Sequence, residues 1–375
     1  MTLLRRALCL LLLLVCGGSF VSAQPRPAVK SGDFVYVSGI AGGKGDIREQ
    51  IEQVLNQLSR TLQSSGSNIA QVAAMHVYLR DGADFAAMNE AYRAFWPADP
   101  PTRTTIIAGQ LSPDARVQIA AVALRNGAER KVILPAGWQK TPNYSYGIQS
   151  GNTLFLAGLL ARDPRTGTDT GGDITAQTKQ AMKNAGEVLQ AAGMSFADAV
   201  SSRVFITDAA QFQTMNAAYR PHFPGAPPAR ATVRTNLPGA QYLVEVTLLA
   251  VRDTDRQVIN TGSDQLPYSS AIRVGNRLYV AGMVGNNDKN AGDAAAQTKQ
   301  ALENLGAALK LAGFTWKEVV DELVYITGAE YNGAVETASR ATLGKTPRAR
   351  TATVTGLVIP APLVEIMLVA VRKKI

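Results

Sequence analysis

Three arginines in this chain each precede a second polar residue by fifteen positions: Arg103 and Gln118, Arg230 and Glu245, Arg350 and Glu365. A guanidinium is a planar fork that matches a carboxylate with two parallel hydrogen bonds, which suits it to hold a small anion. A carboxylate held beside it can move a proton to or from water. Gln118 cannot act as a base, so the first pair predicts a binding site at most. Turn sequences lie between the partners: Gln110-Leu111-Ser112-Pro113, Leu237-Pro238-Gly239 and Leu357-Val358-Ile359-Pro360. With β-branched runs on either side, this pattern predicts a β-hairpin, with Arg230 and Glu245 nearly opposite each other and within side-chain reach. A plain cross-strand ion pair that only stabilises a sheet is the alternative reading.

Equal spacing in three places, each ahead of a matching apolar strand, marks an internal repeat. The repeats run over residues 28–126, 144–252 and 265–373. In the first, Phe34 to Gly39 reads as a strand and Asp46 as the cap of a helix carrying Ile47, Ile51, Val54, Leu55, Leu58 and Leu62 at helical spacing. A strand over Val72 to Leu79 and a helix over Phe85 to Phe95 precede the Arg103 turn. The second repeat follows the same order, with helices from Asp173 to Gly193 and from Phe212 to Tyr219. The third repeats Ala176 to Ala181 letter for letter as Ala296 to Ala301, and its second helix, Tyr331 to Leu343, is the most divergent part. Each unit reads β(β)αβαββ, an α+β layer with helices on one sheet face. Alternation puts Val244, Val246, Leu248 and Ala250 on one face of the last strand and Glu245, Thr247 and Leu249 on the other. A face that mixes a carboxylate with apolar residues suits an interface between repeats. Connectors near 127–143 and 253–264 are polar and read as linkers.

The 375 residues carry a formal charge of +9, with 46% hydrophobic and 18% charged residues, ordinary for a globular protein. Residues 1–23 read as a secretory signal peptide: Arg5 and Arg6, an apolar run from Leu10 to Val15, then Val21-Ser22-Ala23 at the cleavage site. Export to a periplasmic or extracellular space follows, with no membrane anchor after cleavage. A lipoprotein modified at Cys16 is the weaker alternative, because Val15 stands where such sites use a small residue. Cys9 and Cys16, the only cysteines, fall in that segment. The cleaved chain is therefore expected to lack disulfides, thiol nucleophiles and thiolate metal sites. His76 and His222, the only histidines, are a repeat apart, which gives little support to a histidine metal site or a Ser-His-Asp triad. The basic residues are dispersed, so a nucleic-acid partner is not expected.

The chain resembles the RidA/YjgF family, also called the reactive intermediate deaminase or L-PSP endoribonuclease family. The resemblance rests on Gly151-Asn152 with Leu156-Ala157-Gly158, on Asp163-Pro164-Arg165-Thr166-Gly167, on Asp173-Ile174 with Gln177, on Phe212 to Tyr219, on Pro228-Ala229-Arg230 and on Val244-Glu245-Val246. It extends over all three repeats. It implies a chorismate-mutase-like fold and sites in clefts between subunits of a trimer. Three units in one chain then imply a monomer closed into an intrachain pseudo-trimer.

The resemblance also implies chemistry: hydrolysis of a 2-imino or enamine acid to a 2-keto acid and ammonia, without a cofactor. The arginine would bind the substrate carboxylate, and the glutamate, held ionised, would position or activate water. By match, Arg230 with Glu245 and Arg350 with Glu365 keep the catalytic pair, while Arg103 and Gln118 keep binding only. Further implied binding positions are kept unevenly. They are Tyr144 and Tyr268, Ser38, Asn89 and Asn216, and Thr105 and Thr232; Ala157, Ala281, Val335 and Ala352 replace them elsewhere. Which cleft collects a full set stays open, with the second repeat the best candidate. A small-carboxylate binder with partly lost catalysis and an endoribonuclease are the alternative functions.

Overall fold

The computed structural model describes residues 26–261 and 267–373. The expected signal peptide, both cysteines and the start of the third repeat at Gln265 lie outside the described residues.

Repeat 1 contains β1 (Ala28–Ser31), β2 (Phe34–Ala41), α1 (Ile47–Ser64), β3 (Val72–Leu79), α2 (Phe85–Arg93), β4 (Thr102–Ile107) and β5 (Val117–Leu124). A connector strand, β6 (Lys131–Ile133), leads to β7 (Gly147–Ser150), β8 (Thr153–Leu156), α3 (Ile174–Ala191), β9 (Ala199–Ile206), α4 (Phe212–Tyr219), β10 (Ala229–Arg234) and β11 (Val244–Val251). A second connector strand, β12 (Arg256–Ile259), leads to β13 (Ala271–Val274), β14 (Arg277–Met283), α5 (Ala294–Leu311), β15 (Val319–Ile326), α6 (Asn332–Leu343), β16 (Ala349–Val354), β17 (Gly356–Leu357) and β18 (Val364–Val371). The polar connectors thus contribute edge strands, β6 against β7 and β12 against β13.

The long helices begin as their sequences predict. Asp46 and Glu49 form a reciprocal cap on α1, and Asp173 and Asp293 accept from the first turns of α3 and α5. The apolar stripe of α1 is buried against its own sheet, and each repeat has its own core between helices and sheet.

The expected hairpin is absent. In repeat 2 the strand order is β10-β9-β11-β8-β7, so β9 lies between the strands of Arg230 and Glu245. β10 runs parallel to β9, reached through α4, which makes a β-α-β crossover rather than a return. Arg230 is level with Ser202 and Glu245 with Phe205. Ser202 shares its side of β9 with Val204 and Ile206 of the helix-facing core, whereas Phe205 belongs to a cluster between repeats. Arg230 and Glu245 therefore leave opposite faces of the sheet. The same order, β4-β3-β5 and β16-β15-β18, separates Arg103 from Gln118 and Arg350 from Glu365.

The sheet faces away from the helices cover one another. Tyr78, Phe205 and Tyr325, from the central strand of each repeat, pack in one apolar cluster. Thr104 and Thr247 hydrogen-bond across the first seam at 2.7 Å. Equivalent backbone contacts join successive repeats. The Ser145 amide donates to the Pro101 carbonyl at 3.1 Å and the Ser269 amide to that of Pro228 at 3.2 Å, while the Arg26 amide, from the start of repeat 1, donates to that of Arg348 at 3.1 Å. The third contact closes the chain into a pseudo-threefold ring.

Candidate functional site

Because arginine and acid leave opposite faces, each arginine meets the acid position of the following repeat. At the seam between repeats 1 and 2, Arg103 faces Glu245. At the next seam, Arg230 faces Glu365. At the closing seam, Arg350 comes to repeat 1, where the acid position is Gln118. The expected pairs Arg230–Glu245 and Arg350–Glu365 are corrected accordingly. Arg103, taken from sequence as a binder beside Gln118, stands opposite an acid.

Each arginine is buried beneath the short helix of its own repeat. The Arg103 guanidinium lies 4.9 Å from the Tyr92 ring centre and 5.8 Å from that of Phe85. Arg230 lies 4.8 Å from Tyr219, 5.8 Å from Phe212 and, across the seam, 5.6 Å from Tyr268. Aromatic faces attract a cation without consuming its N–H groups. Arg230 Nη2 donates to Asn216 Oδ1 at 2.7 Å, while its Nε and Nη1 have no hydrogen-bond partner among the described residues. Neither Arg103–Glu245 nor Arg230–Glu365 is an ion pair within 4.0 Å among the described residues. A gap therefore separates cation from acid. At the first seam the gap belongs to a cavity of about 670 Å³, lined among others by Asn89, Arg103, Thr105, Tyr144, Tyr242 and Glu245. Asn89 Oδ1 and Thr105 Oγ1 are buried there without hydrogen-bond partners among the described residues. Buried polar groups are normally satisfied, so these mark a place for a polar ligand or water.

The acids are set by two features that sequence reasoning missed. Gln177 on α3 accepts from the Leu243 amide at 2.8 Å and donates to the Gly172 and Gln241 carbonyls. Gln297 accepts from the Leu363 amide at 2.8 Å, and Gln50 from that of Arg116 at 2.7 Å. Each clamp acts two residues before the acid position. The shared Ala-Gln-Thr-Lys-Gln-Ala segment was the available signal. The second feature is a glycine beneath the acid. A Cβ on Gly158 would lie 1.6 Å from Glu245 Oε1, and one on Gly282 1.8 Å from Glu365 Oε1.

Burial pushes the Glu245 carboxyl up to about 8, against the opposing pull of the Thr105 backbone N–H and of Arg103. Glu365 likewise rises to about 8 by burial, opposed by Arg230 and the Thr232 N–H. Burial outweighs the nearby cation, so both acids hold a proton to higher pH than an ordinary glutamate, where the sequence reading expected the cation to keep them ionised. Thr105 and Thr232 thus contact the acids through their backbone.

The closing seam is built differently. Arg350 is level with Glu322 on β15, where Arg103 and Arg230 have Met75 and Ser202. Glu322 is fully buried, accepts from Arg348 Nε at 2.6 Å and lies 3.7 Å from Arg350 Nε. Arg348 stands where the other repeats have Pro101 and Pro228. Ser38 is also structural here: its Oγ accepts from the Arg350 amide at 2.9 Å and donates to the Arg26 carbonyl at 2.6 Å.

A profile of the family described as Endoribonuclease L-PSP matches residues 22–125, 138–252 and 262–372. A RutC family protein of Sulfurisphaera tokodaii is 38% identical over 106 residues, 28% of this chain and 85% of that protein. The 2-iminobutanoate/2-iminopropanoate deaminase of Mus musculus is 35% identical over 109 residues, 29% of this chain and 81% of its own length. The 3-aminoacrylate deaminase RutC of Acinetobacter baylyi is 35% identical over 105 residues, 26% of this chain and 83% of its own. At the scale of the whole ring, a chorismatase crystal structure superposes with a TM-score of 0.55 over 80% of this chain and 93% of that one, at 16% identity, a likeness of fold alone. With a family match in every repeat, the chain belongs to the RidA/YjgF/L-PSP family and carries three copies of the family unit in tandem.

Proposed function

We propose that the chain hydrolyses small 2-imino acids, or the enamines in equilibrium with them, to 2-keto acids and ammonia at the two seams that pair Arg103 with Glu245 and Arg230 with Glu365. The observation that carries this reading is a buried carboxyl facing, across a gap that at the first seam is a cavity, a buried guanidinium with no ion-pair partner within 4.0 Å among the described residues. The reactions printed in the names of the mouse and Acinetobacter relatives agree with it.

The guanidinium takes the substrate carboxylate through its two-pronged face and brings the C=N carbon into the gap. Protonated Glu245 gives its proton to the imine nitrogen, which makes C2 more electrophilic. Water then attacks C2 while the carboxylate accepts a water proton, leaving a carbinolamine. Glu245 returns that proton to the amine, ammonia departs, and the hydroxyl proton goes back to the carboxylate as the keto group forms. One water is consumed and the acid is regenerated. An acid that titrates close to neutral pH suits a group that must both give and take a proton.

The test is ammonia release from 2-iminopropanoate generated in situ. The Arg103→Ala/Arg230→Ala protein should lose turnover; undiminished release would reject the assignment. If that protein instead retains turnover but Glu245→Gln/Glu365→Gln abolishes it, the acids act without the arginines and the carboxylate-binding role fails. No observation favours phosphodiester cleavage: His76 lies in the ring interior and His222 packs beside Phe196, 5.5 Å between ring centres.

A further inference from the structure

A polar chamber lies where the central strands of the three repeats meet. Its walls use the seam-facing positions of β3, β9 and β15, which form successive layers. Tyr78, Phe205 and Tyr325 form an apolar layer. At the next position outward stand His76, Arg203 and Leu323, and two residues before these on the strands stand Ala74, Ser201 and Asp321. His76, Arg203 and Asp321 line two neighbouring spaces of about 70 and 20 Å³. One water needs roughly 10–15 Å³ on this measure, so the larger space admits a group of several heavy atoms.

Among the described residues His76 and Arg203 have no hydrogen-bond partner, Asp321 accepts from the Glu322 backbone N–H, and none of the three forms an ion pair within 4.0 Å; all three are part-buried. A part-buried guanidinium with no ion-pair partner keeps its N–H groups available to an anion. At the chamber wall Arg277 is held by Thr153 Oγ1 at 2.8 Å and Asn152 Oδ1 at 3.1 Å, and adds a second positive charge.

We propose that the chamber binds a small oxyanion of three or four heavy atoms, with the Arg203 fork as its main donor and His76 as the second. Burial, reinforced by Arg203, pushes His76 well below its ordinary range, so it is neutral and offers one N–H. Asp321 selects among anions. Burial raises it to about 6, which leaves it mainly a carboxylate at pH 7. It repels a fully ionised anion and accepts from one that keeps an O–H, as hydrogencarbonate does. A homotrimer repeats each axial residue three times and sets like charges against one another. The fused chain escapes that constraint and places one guanidinium, one imidazole and one carboxylate around a single space.

Titration calorimetry of the full chain with sodium hydrogencarbonate at pH 7 tests this, in the Arg103→Ala/Arg230→Ala background so that the two seam arginines without a resident carboxylate cannot contribute. One site per chain is expected, weakened tenfold or more by Arg203→Met. Formate should bind less tightly than hydrogencarbonate, and Asp321→Asn should narrow or reverse that order. Absence of binding, or binding unchanged by Arg203→Met, overturns the proposal. Should Arg203→Met fail to fold, a crystal structure of the unaltered chain grown in hydrogencarbonate decides: planar density between Arg203 and His76 supports the site, and its absence refutes it.

Discussion

The seam between repeats 1 and 2 and the seam that closes the ring share one backbone plan and differ in the side chains around the arginine. The first has Met75 across from the arginine, Pro101 two residues before it, Asn89 on the short helix and Glu245 over the gap. The closing seam has Glu322, Arg348, Glu336 and Gln118 at those places. α6 starts at Asn332 where α2 starts at Phe85, so Val335, matched to Asn89 from sequence, takes the core place of Met88, and Glu336 falls near Arg350. The first arrangement leaves a guanidinium facing a cavity and a buried carboxyl that burial inclines to hold its proton. The second gives Arg350 a resident carboxylate from its own repeat and no proton donor. An arginine in the right strand position is thus insufficient for a site; what stands level with it decides whether its charge is available.

The sharpest way to break this comparison is to remove the acids. Glu245→Gln combined with Glu365→Gln should slow ammonia release by about 10²–10⁴-fold, the usual worth of a positioned proton donor. Gln118→Ala should leave the rate unchanged, and a comparable loss there would erase the distinction between seams. Next in size, Glu322→Ala strands Arg348 as a buried cation and should destabilise the fold by about 3–5 kcal/mol in denaturant titration. Met75→Ala, at the equivalent place, carries no such charge penalty. A shift for Glu322→Ala no larger than that for Met75→Ala would argue against the buried pair.

A smaller effect separates the seams from each other. Arg103→Ala alone should reduce turnover only to the share of the intact Arg230–Glu365 seam, and Arg350→Ala should not reduce it. Equal losses in both variants would mean that all three seams work alike.

The gentlest probe is pH. Glu245 and Glu365 rise from an ordinary 4.5 to about 8 in the folded chain, so their protonated forms favour folding. That contribution is fully present below 4.5, the unfolded value, and is lost as pH rises to about 8. The melting temperature should therefore carry a downward slope between those limits, flattened in Glu245→Gln/Glu365→Gln. An identical slope in the variant would remove the acids as its source. For the same reason kcat/KM should fall above about pH 8, as the proton needed by the imine nitrogen is lost.

Much of the fold could be read in the chain. Asp46, Asp173 and Asp293 announce helix starts because a carboxylate satisfies free amides there. Alternation along Val244 to Ala250 correctly assigned Glu245 and Thr247 to the face between repeats. The hairpin failed because turn residues and β-branched runs report that the chain reverses, not which strand it pairs with afterwards. The βαβ order of β9, α4 and β10 held the contrary signal: a strand reached through a helix returns parallel and leaves the next strand to pair elsewhere.

By itself the amino-acid order determined the repeat, its elements, the arginines and the acid-bearing strands, since each depends on local spacing and side-chain chemistry. Only the tertiary structure decided that Arg103 meets Glu245, that Arg230 meets Glu365, and that Arg350 is answered by Glu322. Those partners come from different strands and mostly from different repeats. Their encounter depends on strand order, on which sheet face each side chain leaves, and on the rotation that closes the ring. None of these is a property of neighbouring letters, and the upward shift of the acids follows from the burial that the encounter creates.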